Sequence, residues 1–88
     1  MKHEKLFEVI LGLETIEELN DFFKDIATEK ELQDLSDRLE VAKLLLDKKT
    51  YDQISKETKM SSATIARVNR ALMYGDGGYR KAIEKDKK

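Results

Sequence analysis

The 88-residue sequence has no cysteine, no proline and a single histidine. Without cysteine no disulfide can staple the chain, and a reducing cytoplasm is the expected setting. No apolar run approaches the roughly 18 residues of a membrane span, so no membrane contact is expected. The opening stretch MKHEKLFEVILGLE continues with an acidic, helix-patterned segment and lacks a small-residue cleavage site. It is therefore not expected to be a signal peptide. His3 stands alone near the terminus, and no acid of the first half is paired with a nucleophile or base. That excludes the usual catalytic constellations and predicts no enzyme, no metal site and no cofactor.

What remains is a small, highly charged chain, 40% Asp, Glu, Lys and Arg. Such a composition without proline points to solvated helices in one domain spanning residues 1–88. A monomer of this size buries only roughly 60–65% of its unfolded surface, which leaves it marginal unless it oligomerises. The net charge of −1 hides a division. Residues 1–47 carry 6 basic and 13 acidic side chains, net −7. Residues 48–70 carry 6 basic and 2 acidic, net +4, and residues 71–88 carry 5 and 3, net +2. A local basic face of this kind is the electrostatic footprint of a nucleic-acid binder. The plainer account is that lysines solvate helix surfaces.

The helical period runs from the start. Leu6, Ile10 and Leu13 form one stripe with Phe7 and Leu11 beside it; Gly12 weakens its last turn. Thr15 with Glu18 reads as a capping box, in which the hydroxyl accepts an early N–H and the carboxylate reaches back. Ile16, Leu19, Phe23 and Ile26 follow as a second stripe, with Phe22 alongside. Thr28 with Glu31 opens a long third helix through Leu32, Leu35, Leu39, Ala42 and Leu46. Those spacings of 3 and 4 make a seam suited to helix-on-helix packing. Val41, Leu44 and Leu45 widen it beyond one stripe, as for a helix buried on more than one side. Residues 1–47 are therefore expected to be a dimerisation scaffold; a self-contained small bundle is the alternative.

The segment TYDQISKETKMSSATIARVNRALMYG, from Thr50 to Gly75, reads as two short helices and a bend. Thr50 caps a helix over Tyr51 to about Thr58. Ser61 caps a second that runs to about Tyr74, with Ile65, Val68 and Leu72 on one face. With Tyr51 at the first place of a helix-turn-helix, the fourth, tenth, fifteenth and eighteenth places must be apolar. They hold Ile54, Met60, Ile65 and Val68. Ser55 stands at the fifth place, where the helices approach closest and a small side chain is needed. The ninth place favours glycine for its freedom at positive φ, and Lys59 departs from that. The glycines of YGDGGY end the second helix. A phosphate-cradling loop there lacks both the preceding strand and the Lys-Ser/Thr that would follow. Residues 75–88 are expected to form a last helix and a lysine-rich tail.

The run from Leu35 to Tyr79, and SSATIARVNRALMYGDGGY above all, resembles the bacterial Trp-repressor-like family of the YerC/YecD type. A looser resemblance to the Trp repressor itself spans about residues 16–74. The resemblance implies an all-α, six-helix fold and an intertwined homodimer whose fourth and fifth helices read double-stranded DNA. It also places Thr28, Arg38 and Arg67 where the repressor holds its tryptophan. Val68 stands where that pocket needs glycine, and Ala71 where it has a serine for the ammonium group. A β-branched side chain in the indole space would overpack it, so tryptophan is not expected as the effector. Thr28 also has a role as a cap, Arg38 could pair with Asp34 or Asp37, and Arg67 could meet phosphate.

For the duplex, the expected tip of the reading helix is Ser62, Ala63, Thr64 and Ala66, with the cap Ser61 also a DNA-binding candidate. These short side chains let a helix sit deep in the major groove, where hydroxyls bond base edges and methyls meet thymine. Lys49, Lys56, Arg67, Asn69 and Arg70 are candidates for the DNA backbone. Asp52 replaces a basic residue of the relative and would repel phosphate. The expected function is a homodimeric, sequence-specific transcriptional regulator, a repressor. The alternative is a protein-interaction module of the same fold with little or no DNA binding.

Overall fold

A computed structural model describes residues 1–87. Six helices follow in order: α1 Glu4–Leu11, α2 Ile16–Ile26, α3 Glu29–Leu46, α4 Tyr51–Thr58, α5 Ser62–Tyr74 and α6 Gly78–Asp86. There is no strand among the described residues, and no helix among them is long and apolar enough to cross a membrane. The chain divides into two compact units, residues 1–32 and 33–88.

In the first unit the boundaries are set by local hydrogen bonds. Thr15 accepts from the Glu18 N–H at 3.1 Å, as a helix cap should. The Glu18 carboxylate takes the N–H of Glu14 at 3.2 Å, one residue earlier than a strict capping box places it. At the next start the exchange is complete: Thr28 N–H to Glu31 at 2.9 Å, and Glu31 N–H to the Thr28 hydroxyl at 3.1 Å. Phe22 and Phe23 meet edge to face at 5.5 Å. No residue of α1 or α2 is buried. Leu11 is 84% exposed and Ile16 81%, whereas Ile10, Leu13, Leu19, Phe22 and Phe23 are half-buried, so these apolar stripes are only partly covered in the single chain.

The second unit holds the core. Val41, Ala42 and Leu44 of α3, Ile54 of α4, Ile65, Val68 and Leu72 of α5 and Ile83 of α6 are buried together. Leu45, Leu46, Met60 and Tyr79 pack against them. Removing one such aliphatic side chain from water stabilises by about 1.5–3 kcal/mol. The seam of α3 splits along its length. Ala42 is fully buried, while Leu35 and Leu39 remain 50% and 45% exposed.

Each end of the motif helices has a defined stop. After α3, Lys48 adopts φ 68°. Its N–H bonds the Leu45 carbonyl and that of Lys49 bonds Leu44, both near 3.0 Å, which is a Schellman arrangement with lysine at its left-handed place. Thr50 and Gln53 then form a full capping box for α4. At its far end Lys59 adopts φ 62° and ψ 17°, with its N–H on the Ser55 carbonyl at 2.8 Å. Two hydroxyls complete the bend. Ser55 donates to the Met60 carbonyl at 3.2 Å. Thr58 donates to the Ile54 carbonyl at 2.7 Å and accepts the Met60 N–H at 3.2 Å. The bend thus forms without glycine, its polar groups satisfied by side chains.

Gly75 ends α5 for a different reason. Its φ of −85° is open to any residue. A Cβ there would lie 2.5 Å from the Ala71 carbonyl oxygen, a backbone atom that cannot swing aside.

Two substitutions should therefore move stability in opposite directions. A left-handed L-residue costs about 1–2 kcal/mol, part of which glycine returns as unfolded-state entropy. Lys59→Gly is expected to stabilise by about 0.5–1 kcal/mol. Gly75→Ala is expected to destabilise by about 1–3 kcal/mol, as overpacking does. Chemical denaturation midpoints check both.

Candidate nucleic-acid interface

The second unit presents α5 with one face in the core and the other outside. Ile65, Val68 and Leu72 point inward. Ala63, Arg67 and Arg70, spaced by 4 and 3, are exposed on the same outer stripe. Ser62 is exposed in the first turn, and Ala66 is half-buried. The tip is therefore short-chained, with two guanidinium groups one and two turns behind it. Neither Arg67 nor Arg70 has an ion-pair partner among the described residues.

The hydroxyls of the tip are not equivalent. Ser61 accepts the Thr64 N–H at 3.2 Å as the cap of α5. Its oxygen also lies 3.1 Å from the Thr64 hydroxyl. Thr64 is half-buried and engaged, whereas Ser62 is exposed and makes no side-chain hydrogen bond among the described residues. Of the two hydroxyls expected to meet base edges, Ser62 is the one left free. Asn69 donates to the Met73 sulfur at 3.5 Å, a contact along its own helix.

Lys49 lies between the end of α3 and the start of α4, exposed and without an ion pair among the described residues. Lys56 is different. Its ammonium pairs with Asp52 at 3.4 Å across one turn of α4, both side chains about four-fifths exposed. Part of its charge is thus answered within the helix, although an exposed pair of this kind is weak. Both residues lie opposite Ile54, on the outer side of α4.

Two of the residues that the family resemblance linked to tryptophan share a cleft. Arg38 and Arg67 line one cleft of about 170 Å³ with Asp34, Asp37, Met60 and Thr64. Asp37 accepts from the Gln33 amide at 2.8 Å, and Arg38 forms no ion pair among the described residues. Thr28 belongs to the first unit, where its hydroxyl caps α3. Val68 does not line the cleft; it is 2% exposed and packed in the core, while Ala71 is exposed. No cluster of three metal-binding side chains occurs among the described residues.

Sequence reasoning missed three features. Gln53 completes the box at α4, readable from the spacing Thr50 to Gln53. The Thr58 hydroxyl fastens the bend, and Lys48 closes α3 left-handed. Neither of the last two leaves a residue-type signal that differs from an ordinary solvated side chain.

The fold and this outer stripe define an all-helical helix-turn-helix protein. The chain belongs to the Trp repressor family, whose sequence model, described as Trp repressor protein, matches residues 2–87. It is 45% identical over 84 residues to the uncharacterized protein YerC of Bacillus subtilis (strain 168), covering 96% of this chain and 81% of that one. A TrpR like protein from Eubacterium eligens ATCC 27750 superposes with a TM-score of 0.89 at 48% identity, over 93% of this chain and 84% of the other. A proposed Trp repressor from Staphylococcus aureus gives 0.91 at 42%, over 96% and 84%.

Proposed function

We propose that this protein is a sequence-specific DNA-binding transcriptional regulator, a repressor, that acts as a cytoplasmic homodimer through α4 and α5. The observation that carries the reading is the outer stripe of α5. It combines a short-chained tip with two unpaired guanidinium groups, Arg67 and Arg70, on a helix whose other face is locked into the core. Short side chains admit the helix to the major groove, and the cations behind them meet phosphate. Family membership supports the same reading.

The homodimer rests on the uncovered apolar stripes. No residue of α1 or α2 is fully buried in the single chain, and Leu35 and Leu39 of α3 stay half-exposed. Two-fold symmetry would set paired α5 helices about 34 Å apart, one turn of duplex.

A second reading has its own observation. Asp52 is exposed on the outer side of α4 beside Lys56, and residues 1–47 are strongly acidic. Both would suit a protein-interaction module of the same fold. Salt decides between them, because phosphate contacts release counterions and protein contacts of the rim type respond far less steeply.

Tryptophan is not the effector in this reading. Val68 fills the core where the relative keeps a glycine, and Ala71 offers no hydroxyl to an ammonium group.

Three measurements test these statements. Arg70→Ala should weaken binding to every duplex about three- to tenfold and flatten the salt slope by about one, whereas Ser62→Ala should change base preference in a selection from random duplexes. Unchanged affinity and preference in both variants would remove α5 as the reader. The unfolding midpoint should rise with protein concentration, as for a dimer whose folding and association are linked; a folded monomer in micromolar sedimentation runs would contradict it. Titration calorimetry with tryptophan should show no saturable heat, against micromolar one-per-subunit binding if the pocket is open.

A further inference from the structure

Two residues of the described chain other than glycine have positive φ, Lys48 at 68° and Lys59 at 62°. Both are lysines, and they bracket the first helix of the motif, one closing α3 and the other closing α4. At such a position an L-residue is less stable than glycine, and among the others Asn and Asp are the favoured types. Lysine has no local hydrogen bond to offer there in compensation. Backbone strain retained at two matching places is grounds to ask what the side chains do.

Their surroundings narrow the answer. Both side chains are exposed, and neither forms an ion pair among the described residues. Neither packs in the core. Lys48 lies two residues before the Thr50 cap of α4, and Lys59 two residues before the Ser61 cap of α5. Each closes a helix, where the carboxyl end of the dipole itself favours a cation, and each stands two residues before the next helix start, whose first N–H groups favour an anion. They supply two of the six basic side chains in the segment 48–70.

We infer that Lys48 and Lys59 are phosphate-positioning residues of the duplex interface. They flank α4 and fix the motif on the DNA backbone, and the left-handed strain at both places is tolerated for the sake of the charge. This rests on the duplex-binding reading above. It adds two residues to that reading and predicts a trade between stability and affinity that a turn residue without a ligand would not show.

The test uses the full-length chain and a pool of random-sequence 30-base-pair duplexes, since phosphate contacts are sequence-independent. Three variants are made at each lysine. Lys→Gly removes strain and charge together, Lys→Gln removes charge alone, and Lys→Arg keeps it. Glycine should raise the denaturation midpoint while weakening duplex binding roughly threefold to tenfold per lysine at 0.1 M salt. The slope of log K against log salt should become shallower by about 0.9 for each lysine lost. Glutamine should weaken binding equally with no gain in stability. Arginine should restore both affinity and slope. Glycine variants that are more stable yet bind random duplex with the parent's affinity and slope would overturn the inference while leaving the regulator reading standing. A parent protein that binds no duplex even at 50 mM salt would overturn both.

Discussion

The left-handed bend at Lys59 is the constraint on which the outer face of α5 depends. It sets the direction in which α5 leaves α4, and so decides which side of α5 is buried. Its own chemistry is unusual for a glycine-free turn. The Lys59 N–H closes on Ser55, while the Ser55 and Thr58 hydroxyls take up the polar groups of Ile54 and Met60. With those groups satisfied, the bend does not have to face bulk water. Met60 can lean on the core, and Ile54 and Ile65 on either side of the bend are fully buried. Ser55 at the close-approach position therefore does more than stay small. Its hydroxyl is one of the fasteners, which alanine could not provide.

Burial is distributed unevenly along the chain, and that unevenness separates two tasks. Every buried residue lies between Val41 and Ile83. The same stretch carries all of the helix-turn-helix and a positive balance of charge. The part before it is acidic and has strong apolar stripes with little to cover them. A solvent-exposed stripe of leucine, isoleucine and phenylalanine is unfavourable in water, by about 25 cal/mol for each Å² that could be buried. The two halves thus differ in both the surface they expose and the charge they carry.

Much of this was legible because short-range rules govern it. Thr15, Thr28, Thr50 and Ser61 mark helix starts by a hydroxyl that has only one good use at that place. The i, i+3, i+4 spacing of Ile65, Val68 and Leu72 reports a buried face whatever it packs against. The six helices and the motif register follow from such signals together with the family resemblance. The candidate site was less legible, since function there turns on competition between partners. Ser62 and Thr64 look alike in sequence, yet the half-buried Thr64 hydroxyl meets Ser61 while Ser62 stays exposed. Lys49 and Lys56 look alike too, but a carboxylate one turn away answers only the second. Glu18 bonded one residue earlier than the pattern suggests because the chain before Thr15 brings Glu14 within reach. Sequence spacing fixes which groups are near; it does not rank them.

Arg38 of α3 and Arg67 of α5 meet at one cleft. Thr64, Met60 and two carboxylates share it, and its volume of about 170 Å³ leaves little room. Val68 does not line it and is buried in the core. Replacing glycine with valine at that point removes a helix-weakening residue and adds a buried branched side chain, so both local propensity and packing favour it. A repressor that depends on a small molecule must be less well ordered without it, because the ligand can shift only an equilibrium that is not already complete. Here Val68 anchors α5 to α3 and α4 through the shared core, so the orientation of α5 is set by the packing of the fold.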